Sequence, residues 1–359
     1  MEIQFELERM ERILNDIENL RYSQSLPVRE YKIWEGQKKD GASCATTAWK
    51  DDLIDTPWEE TDQHRWYRTK IKIPSSMAKE HVEFWITTGR EGQWDATNPQ
   101  MLFYLNGKIV QGIDVNHRHV LITKNAVSGE EYEIALYAYS GSVEGDLMIH
   151  TGVEVVDDMV NQFYYDFMVP VQAARVLLKD KEDDVRKILL KLQKTAETVD
   201  LRQPYSKRFY ESLENARQIL KEEFYSTEME NIPKVSAIGH THIDVAWLWT
   251  VDQTREKVIR SFSTVLRLME LYPDYKFMSS QPILYQFVKE QEPEMYEEIK
   301  KRVAEGRWEI DGAMWLESDC NLPNGESLVR QILKGHRFFK EEFGKESKSL
   351  WLPDVFGYS

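Results

Sequence analysis

The segment Gly239-His240-Thr241-His242-Ile243-Asp244-Val245-Ala246-Trp247-Leu248-Trp249 gathers two imidazoles, a carboxylate and two indoles, directly after the apolar run Val235-Ser236-Ala237-Ile238. Such groups are costly inside a strand but useful at the mouth of an α/β sheet, where ligands bind beyond the carboxyl ends of the strands. On an extended or turning backbone His242 and Asp244 lie two residues apart and share a face, so a nitrogen and an oxygen can reach one divalent cation. His240 has the same parity and is the rival ligand. Taken alone, a His-x-His pair reads equally well as a hydrogen-bonded structural feature. A second segment, Ser349-Leu350-Trp351-Leu352-Pro353-Asp354-Val355-Phe356-Gly357-Tyr358, repeats the design of an apolar strand whose end delivers a carboxylate. Asp354 follows a proline without an N–H and precedes an apolar pair, a setting unlike that of a solvated surface charge.

These two segments resemble the zinc-dependent α-mannosidases of glycoside hydrolase family 38. The family's His-x-His-x-Asp-x-x-Trp segment is similar to His240, His242, Asp244 and Trp247, and its Trp-x-Pro-Asp-x-Phe-Gly segment to Trp351, Pro353, Asp354, Phe356 and Gly357. The resemblance implies that His242 and Asp244 are zinc ligands, that Trp247 stacks on the sugar, and that Asp354 is both zinc ligand and nucleophile. His240 is left a supporting role beside the ligands. Gly306 to Gly312, Trp315 to Asp319 and Asn324 to Gln331 also look like family segments, so the strong resemblance runs from about Pro233 to Ser359. The upstream part resembles the N-terminal region of the cytosolic or bacterial branch.

The residues suit that chemistry. A retaining glycosidase needs one carboxylate to attack the anomeric carbon and a second acid to protonate the leaving oxygen, and Asp354 can fill only the first role. A cation beside the nucleophile could hold two adjacent sugar hydroxyls, which suits mannose because its 2- and 3-hydroxyls are cis. Mixed nitrogen and oxygen ligands favour Zn²⁺, with Co²⁺ or Mn²⁺ as substitutes. Glu317 and Asp319 are candidates for binding sugar hydroxyls, against capping or loop hydrogen bonding. Trp247 offers an apolar face to a sugar, although an indole at such a spacing is as readily core.

In the 359-residue chain, 61 acidic against 46 basic side chains give a net charge of −15, which argues against a nucleic-acid backbone or an anionic membrane as partner. An α-mannoside or oligosaccharide fits better, and a homo-oligomer stays open. The N-terminus lacks a basic stretch followed by an apolar one, which points to the cytoplasm. Cys44 and Cys320 are far apart and are expected as reduced thiols.

Changes of period divide the chain. Residues 1–28 read as an amphipathic helix, with Ile3, Leu7, Met10, Ile13, Leu14, Ile17 and Leu20 on one stripe. Over 29–156 the period falls to two, as in Tyr67, Thr69, Ile71 and Ile73, which predicts an antiparallel β-sandwich with a two-residue hairpin at Asn106-Gly107. Its tryptophans, Trp49, Trp58, Trp66, Trp85 and Trp94, are expected as core or interdomain packing, with sugar binding the alternative. Helical stripes return over 157–230 as a connector.

Residues 231–359 alternate strand and helix, with strands at Val235–Ile238, Lys276–Ser279, Trp308–Ile310 and Leu350–Leu352, which predicts the first part of a parallel (β/α) barrel. His242 and Asp244, then Gln281, then Glu317 and Asp319, then Asp354 should converge at the strand ends. Closing such a barrel takes about seven or eight strands, and the resemblance implies seven. With four strands and no candidate general acid, residues 1–359 are expected to be an inactive N-terminal fragment of a longer enzyme. The rivals are a metal-dependent carbohydrate deacetylase or amidohydrolase, and a non-enzymatic sugar-binding protein.

Overall fold

The computed structural model describes residues 2–37, 49–92, 99–142, 147–226 and 234–357, so Cys44, Trp94 and the boundary at 231–233 lie outside the described residues. Helix α1 (Glu2–Glu18) leads into strands β1 (Tyr22–Pro27), β2 (Glu30–Glu35), β3 (Lys50–Leu53), β4 (His64–Lys72), β5 (His81–Thr87), β6 (Gln100–Leu105), β7 (Lys108–Ile113), β8 (His119–Thr123), β9 (Glu131–Tyr139) and β10 (His150–Val156). These form two antiparallel sheets, ordered β1-β10-β5-β8 and β3-β2-β4-β9-β6-β7. The sheet begins at Tyr22 rather than at residue 29. β1 is an exposed edge strand without alternating apolar residues, so its sequence carries no period to read. The hairpin forms at Asn106 (φ 50°) and Gly107 (φ 78°), both in the left-handed region that a two-residue turn between twisted strands demands.

Alternation buries Tyr67, Ile71, Ile73, Val82, Phe84 and Ile86 between the sheets, together with Trp58. Trp66 points the other way and is also buried, so these two indoles are packing residues. Helices α2 (Asp158–Leu177), α3 (Glu182–Thr198) and α4 (Lys207–Leu220) follow. Their stripes share one core with α1, joining Ile3, Leu7, Met10 and Ile17 to Phe163, Phe167, Leu189, Leu192 and Leu213. Residues 1–28 are therefore no separate unit. An amphipathic stripe needs a partner face, and α1 finds it on the helices of the connector.

The last part carries β11 (Gly239–His240), α5 (Val251–Leu271), β12 (Phe277–Ser279), α6 (Pro282–Gln291), α7 (Pro293–Ala304), β13 (Trp308–Ile310) and α8 (Gly325–Phe343). The three strands pair in parallel in the order β11-β12-β13, with Gly239 opposite Phe277 and Phe277 opposite Trp308. Two expected strands are shorter than predicted. Val235 and Ile238 are 87% and 59% exposed, so the apolar run is not a buried strand, and pairing begins only at Gly239. Leu350–Leu352 is reduced to a single parallel bridge from Leu350 to Gly312. Three strands and a bridge are the start of a parallel α/β layer rather than a closed barrel. Among the described residues no helix is long and apolar enough to cross a membrane.

Helix α5 fastens this layer to the sandwich. Val258, Ile259, Phe262 and Val265 pack with Trp66, Leu102, Tyr104 and Tyr137 on the outer face of the six-stranded sheet. That double burial explains why Met101-Leu102-Phe103-Tyr104 is continuously apolar. Gly112 permits the approach, since a Cβ there would meet the Arg260 carbonyl oxygen at 2.9 Å. Within the interface Glu256 accepts the Tyr137 hydroxyl (2.8 Å) and pairs with His64 Nε2 (2.9 Å). The buried Arg260 lies 3.7 Å from the same carboxylate and donates to Gln100 at 2.7 Å. Removing one partner of such a group leaves a charge without solvent or counter-ion. Glu256→Ala is expected to cost about 3–5 kcal/mol in urea unfolding, and a loss no larger than the roughly 1 kcal/mol of a surface pair would mean that apolar packing alone holds the interface.

Candidate active site

Each parallel strand ends in polar groups. β11 runs into His242 and Asp244, β12 into Ser280 and Gln281, β13 into the loop that carries Glu317 and Asp319, and the Leu350 bridge into Asp354. His242, Asp244 and Asp354 each offer a ligand atom, and the three atoms lie within 4.8 Å of one another. His242 Nε2 is 3.2 Å from Asp244 Oδ1 and 3.7 Å from Asp354 Oδ2. On the other side of the ring, Nδ1 sits 2.8 Å from Glu317 Oε2 as an ion-pair contact whose angles fall short of a hydrogen bond. The Glu317 carboxylate pushes the His242 pKa up to about 9 against the opposing effect of partial burial, and Asp244 adds to the rise.

Carboxylates on both sides of the ring favour a positive charge there, and a divalent cation can take the place of the Nε2 proton. One imidazole nitrogen and two carboxylate oxygens within reach of one point are a donor set that fits Zn²⁺, Co²⁺ or Mn²⁺. His240 does not join it. Its ring lies tilted against Trp351 at 5.3 Å, and partial burial lowers its pKa despite the pull of Glu317. Trp247 is not a core residue, being 53% exposed. A positive φ at Ala246 (96°) turns the chain there, and the Trp247 ring meets Trp249 edge-on at 5.6 Å.

Both acidic candidates for sugar hydroxyls bond within the protein. Glu317 has a side chain only 4% exposed, with one oxygen accepting the Ser280 hydroxyl and the other facing His242. Asp319 accepts the Asn321 N–H at 2.7 Å, the loop-bonding alternative. Asn321 in turn donates to the Phe356 carbonyl at 2.9 Å, bracing the segment that bears Asp354. Gly357 (φ 142°) makes room for that brace, since a Cβ would fall 1.5 Å from Asn321 Nδ2. Glu326 and Arg330 form the exposed pair that their spacing predicts.

Several supporting residues escape a reading of spacing alone. Trp249 Nε1 donates to the Asp244 carbonyl at 3.2 Å, and the Thr254 hydroxyl reaches the same oxygen at 3.3 Å, so the first turn of α5 holds the ligand loop. Gln281 is buried in the left-handed region (φ 60°), where its amide donates to the Ile243 carbonyl at 2.9 Å and accepts the Glu317 N–H at 3.2 Å. Gln331 on α8 fixes the backbone at Trp315 and Leu316. Only the position of Gln281 at a strand end gave a signal, because these bonds go to backbone atoms and have no fixed partner type.

Residues 233–359 match the family model described as the glycosyl hydrolases family 38 N-terminal domain. Alpha-mannosidase G of Dictyostelium discoideum is 31% identical over 98% of this chain and 34% of its own length. The alpha-mannosidase of Saccharomyces cerevisiae is 27% identical over 85% of this chain and 30% of its own, and human alpha-mannosidase 2C1 is 29% identical over 82% and 29%. The chain spans about a third of the length of these curated relatives. The strand-end cluster falls inside the matched segment, and residues 233–359 belong to the N-terminal domain of glycosyl hydrolase family 38.

Proposed function

We propose that this chain supplies the nucleophile and most of the metal site of a retaining α-mannosidase acting on terminal α-mannosyl linkages. The observation that carries the reading is the meeting of His242, Asp244 and Asp354 at the mouth of the parallel layer. In it His242 Nε2, Asp244 and Asp354 would hold a divalent cation, Zn²⁺ by donor type, which would supply positive charge to polarise sugar hydroxyls.

The exposure of Asp354 supports a nucleophilic role. Its side chain is 51% exposed, in contrast to Glu317, so a sugar can approach it. Its carboxylate attacks the anomeric carbon as the leaving oxygen is protonated, and water then releases the sugar from the covalent ester. Trp247 offers the apolar face on which the C–H side of the sugar rests. Neither acidic neighbour presents itself as the acid that protonates the leaving oxygen, since Glu317 is enclosed and Asp319 has one oxygen bonded to the Asn321 N–H. We infer that residues 1–359 by themselves hydrolyse α-mannosides poorly or not at all, because no general acid is evident among the described residues of the cluster and lacking one costs about 10²–10⁴ in rate. A metal-dependent deacetylase would use the same cation-binding groups but would leave Asp354 without a nucleophilic task.

His242→Ala and Asp244→Ala are each expected to weaken Zn²⁺ binding by roughly 100-fold or more, and His240→Ala much less. Calorimetric titration of the metal-free protein checks this, and full affinity in either of the first two variants would remove the metal assignment. In an active enzyme carrying this domain, a fluorinated mannosyl substrate is expected to leave a covalent sugar on Asp354, detectable by peptide mass spectrometry. Robust turnover of a nitrophenyl α-mannoside by residues 1–359, abolished by Asp354→Ala, would show instead that an acid is already present.

A further inference from the structure

We propose that Glu317 is a positioning residue for the metal site, set in place by Ser280 and Gln281. The inference rests on the metal reading above and adds what orients the nitrogen donor found among the described residues. An imidazole has two nitrogens and a rotatable ring, so a histidine binds a cation well only if its second nitrogen is held. For His242 the holder is Glu317. Its Oε2 lies 2.8 Å from Nδ1, on the side of the ring away from Asp244 and Asp354, leaving Nε2 as the atom that faces both carboxylates. At 4% exposure Glu317 is too enclosed to touch a sugar, yet its carboxylate is aimed at the edge of the site.

Glu317 is itself held at two points, one on the carboxylate and one on the backbone. Its other oxygen accepts the Ser280 hydroxyl. Its backbone N–H donates to Gln281 Oε1 at 3.2 Å, while Gln281 Nε2 donates to the carbonyl of Ile243, the residue between His242 and Asp244, at 2.9 Å. One buried amide therefore sets the spacing between the loop that carries the ligands and the loop that carries Glu317. Gln281 does this from a left-handed backbone (φ 60°), a conformation that costs about 1–3 kcal/mol in a residue other than glycine and persists where surrounding bonds over-determine it. Placement of this kind at the end of β12 gives Ser280 and Gln281 consecutive roles toward Glu317, the first at its carboxylate and the second at its backbone N–H.

The test uses the 359-residue chain, freed of metal, with Zn²⁺ and Co²⁺ as probes. Affinity is read by competition with a chromogenic chelator, geometry by the visible absorption of bound Co²⁺, and folding by thermal denaturation. Glu317→Gln keeps the size of the side chain and an acceptor for Ser280 but removes the charge at Nδ1. It is expected to weaken Zn²⁺ binding by about 10- to 100-fold and to change the Co²⁺ spectrum with the melting temperature nearly unmoved. Ser280→Ala, which leaves the carboxylate in place, is expected to cause a smaller loss in the same direction, and it decides the matter if Glu317→Gln does not fold. A purely structural Glu317 would lower the melting temperature and leave both metal readouts at their wild-type values, which overturns the proposal. A wild-type chain that binds neither ion overturns the metal reading itself, and this inference with it.

Discussion

Strands β6 and β9 of the six-stranded sheet are buried on both faces, and there the second face is covered by α5. That single packing decision joins the sandwich to the parallel layer, because Phe262 lies against Phe277 and Trp308 of the parallel strands while its neighbours meet Trp66 and Tyr137. Burial of large aromatic side chains supplies the drive, at about 25 cal/mol per Å² of apolar surface removed from water. The polar groups at the same contact fix its register. Glu256 meets His64, Tyr137 and Arg260 together, and Gly112 lets the helix backbone approach where any side chain would hold it off.

From that anchored helix the site follows. The N-terminal turn of α5 is capped by Thr250, and Trp249 and Thr254 hold the Asp244 carbonyl, so the ligand loop inherits the position of the helix. The other loops are tied to it by side chains bonding to backbone. Gln281 bridges to Ile243 and Glu317, Gln331 to Trp315 and Leu316, and Asn321 to Phe356. Segments far apart in sequence are thereby fixed relative to one another, although only three short strands and a bridge underlie them. The cost is a concentration of charge. His242 stands between Glu317 on one side and Asp244 and Asp354 on the other, an arrangement that favours a positive charge at its centre.

Much of this was legible in the sequence, for identifiable reasons. The helical stripes, the alternating strands β4 and β5 and the Asn106-Gly107 hairpin follow from periods and turn chemistry that local residues determine. The cluster of His242, Asp244 and Asp354 was legible because strand ends in a parallel layer share one face. What failed depends on tertiary context. β1 pairs through its backbone and shows no apolar period, and Val235–Ile238 is apolar but has no partner to bury it. Glu317 looks like a sugar contact by residue type and is enclosed instead, since the sequence does not reveal that Ser280 and His242 will occupy both its oxygens. Bonds to backbone carbonyls, such as those of Gln281 and Trp249, leave no complementary residue type to search for.

The central claim is that His242, Asp244 and Asp354 bind one divalent cation. An anomalous-difference map from crystals of the chain soaked in Zn²⁺, recorded across the zinc absorption edge, tests it directly. The expected result is a single strong peak about 2.0–2.2 Å from His242 Nε2 and from a carboxylate oxygen of each aspartate, the distances of zinc bonded to nitrogen and oxygen. No peak among these three side chains, or a zinc bound through His240 instead of His242, would contradict it.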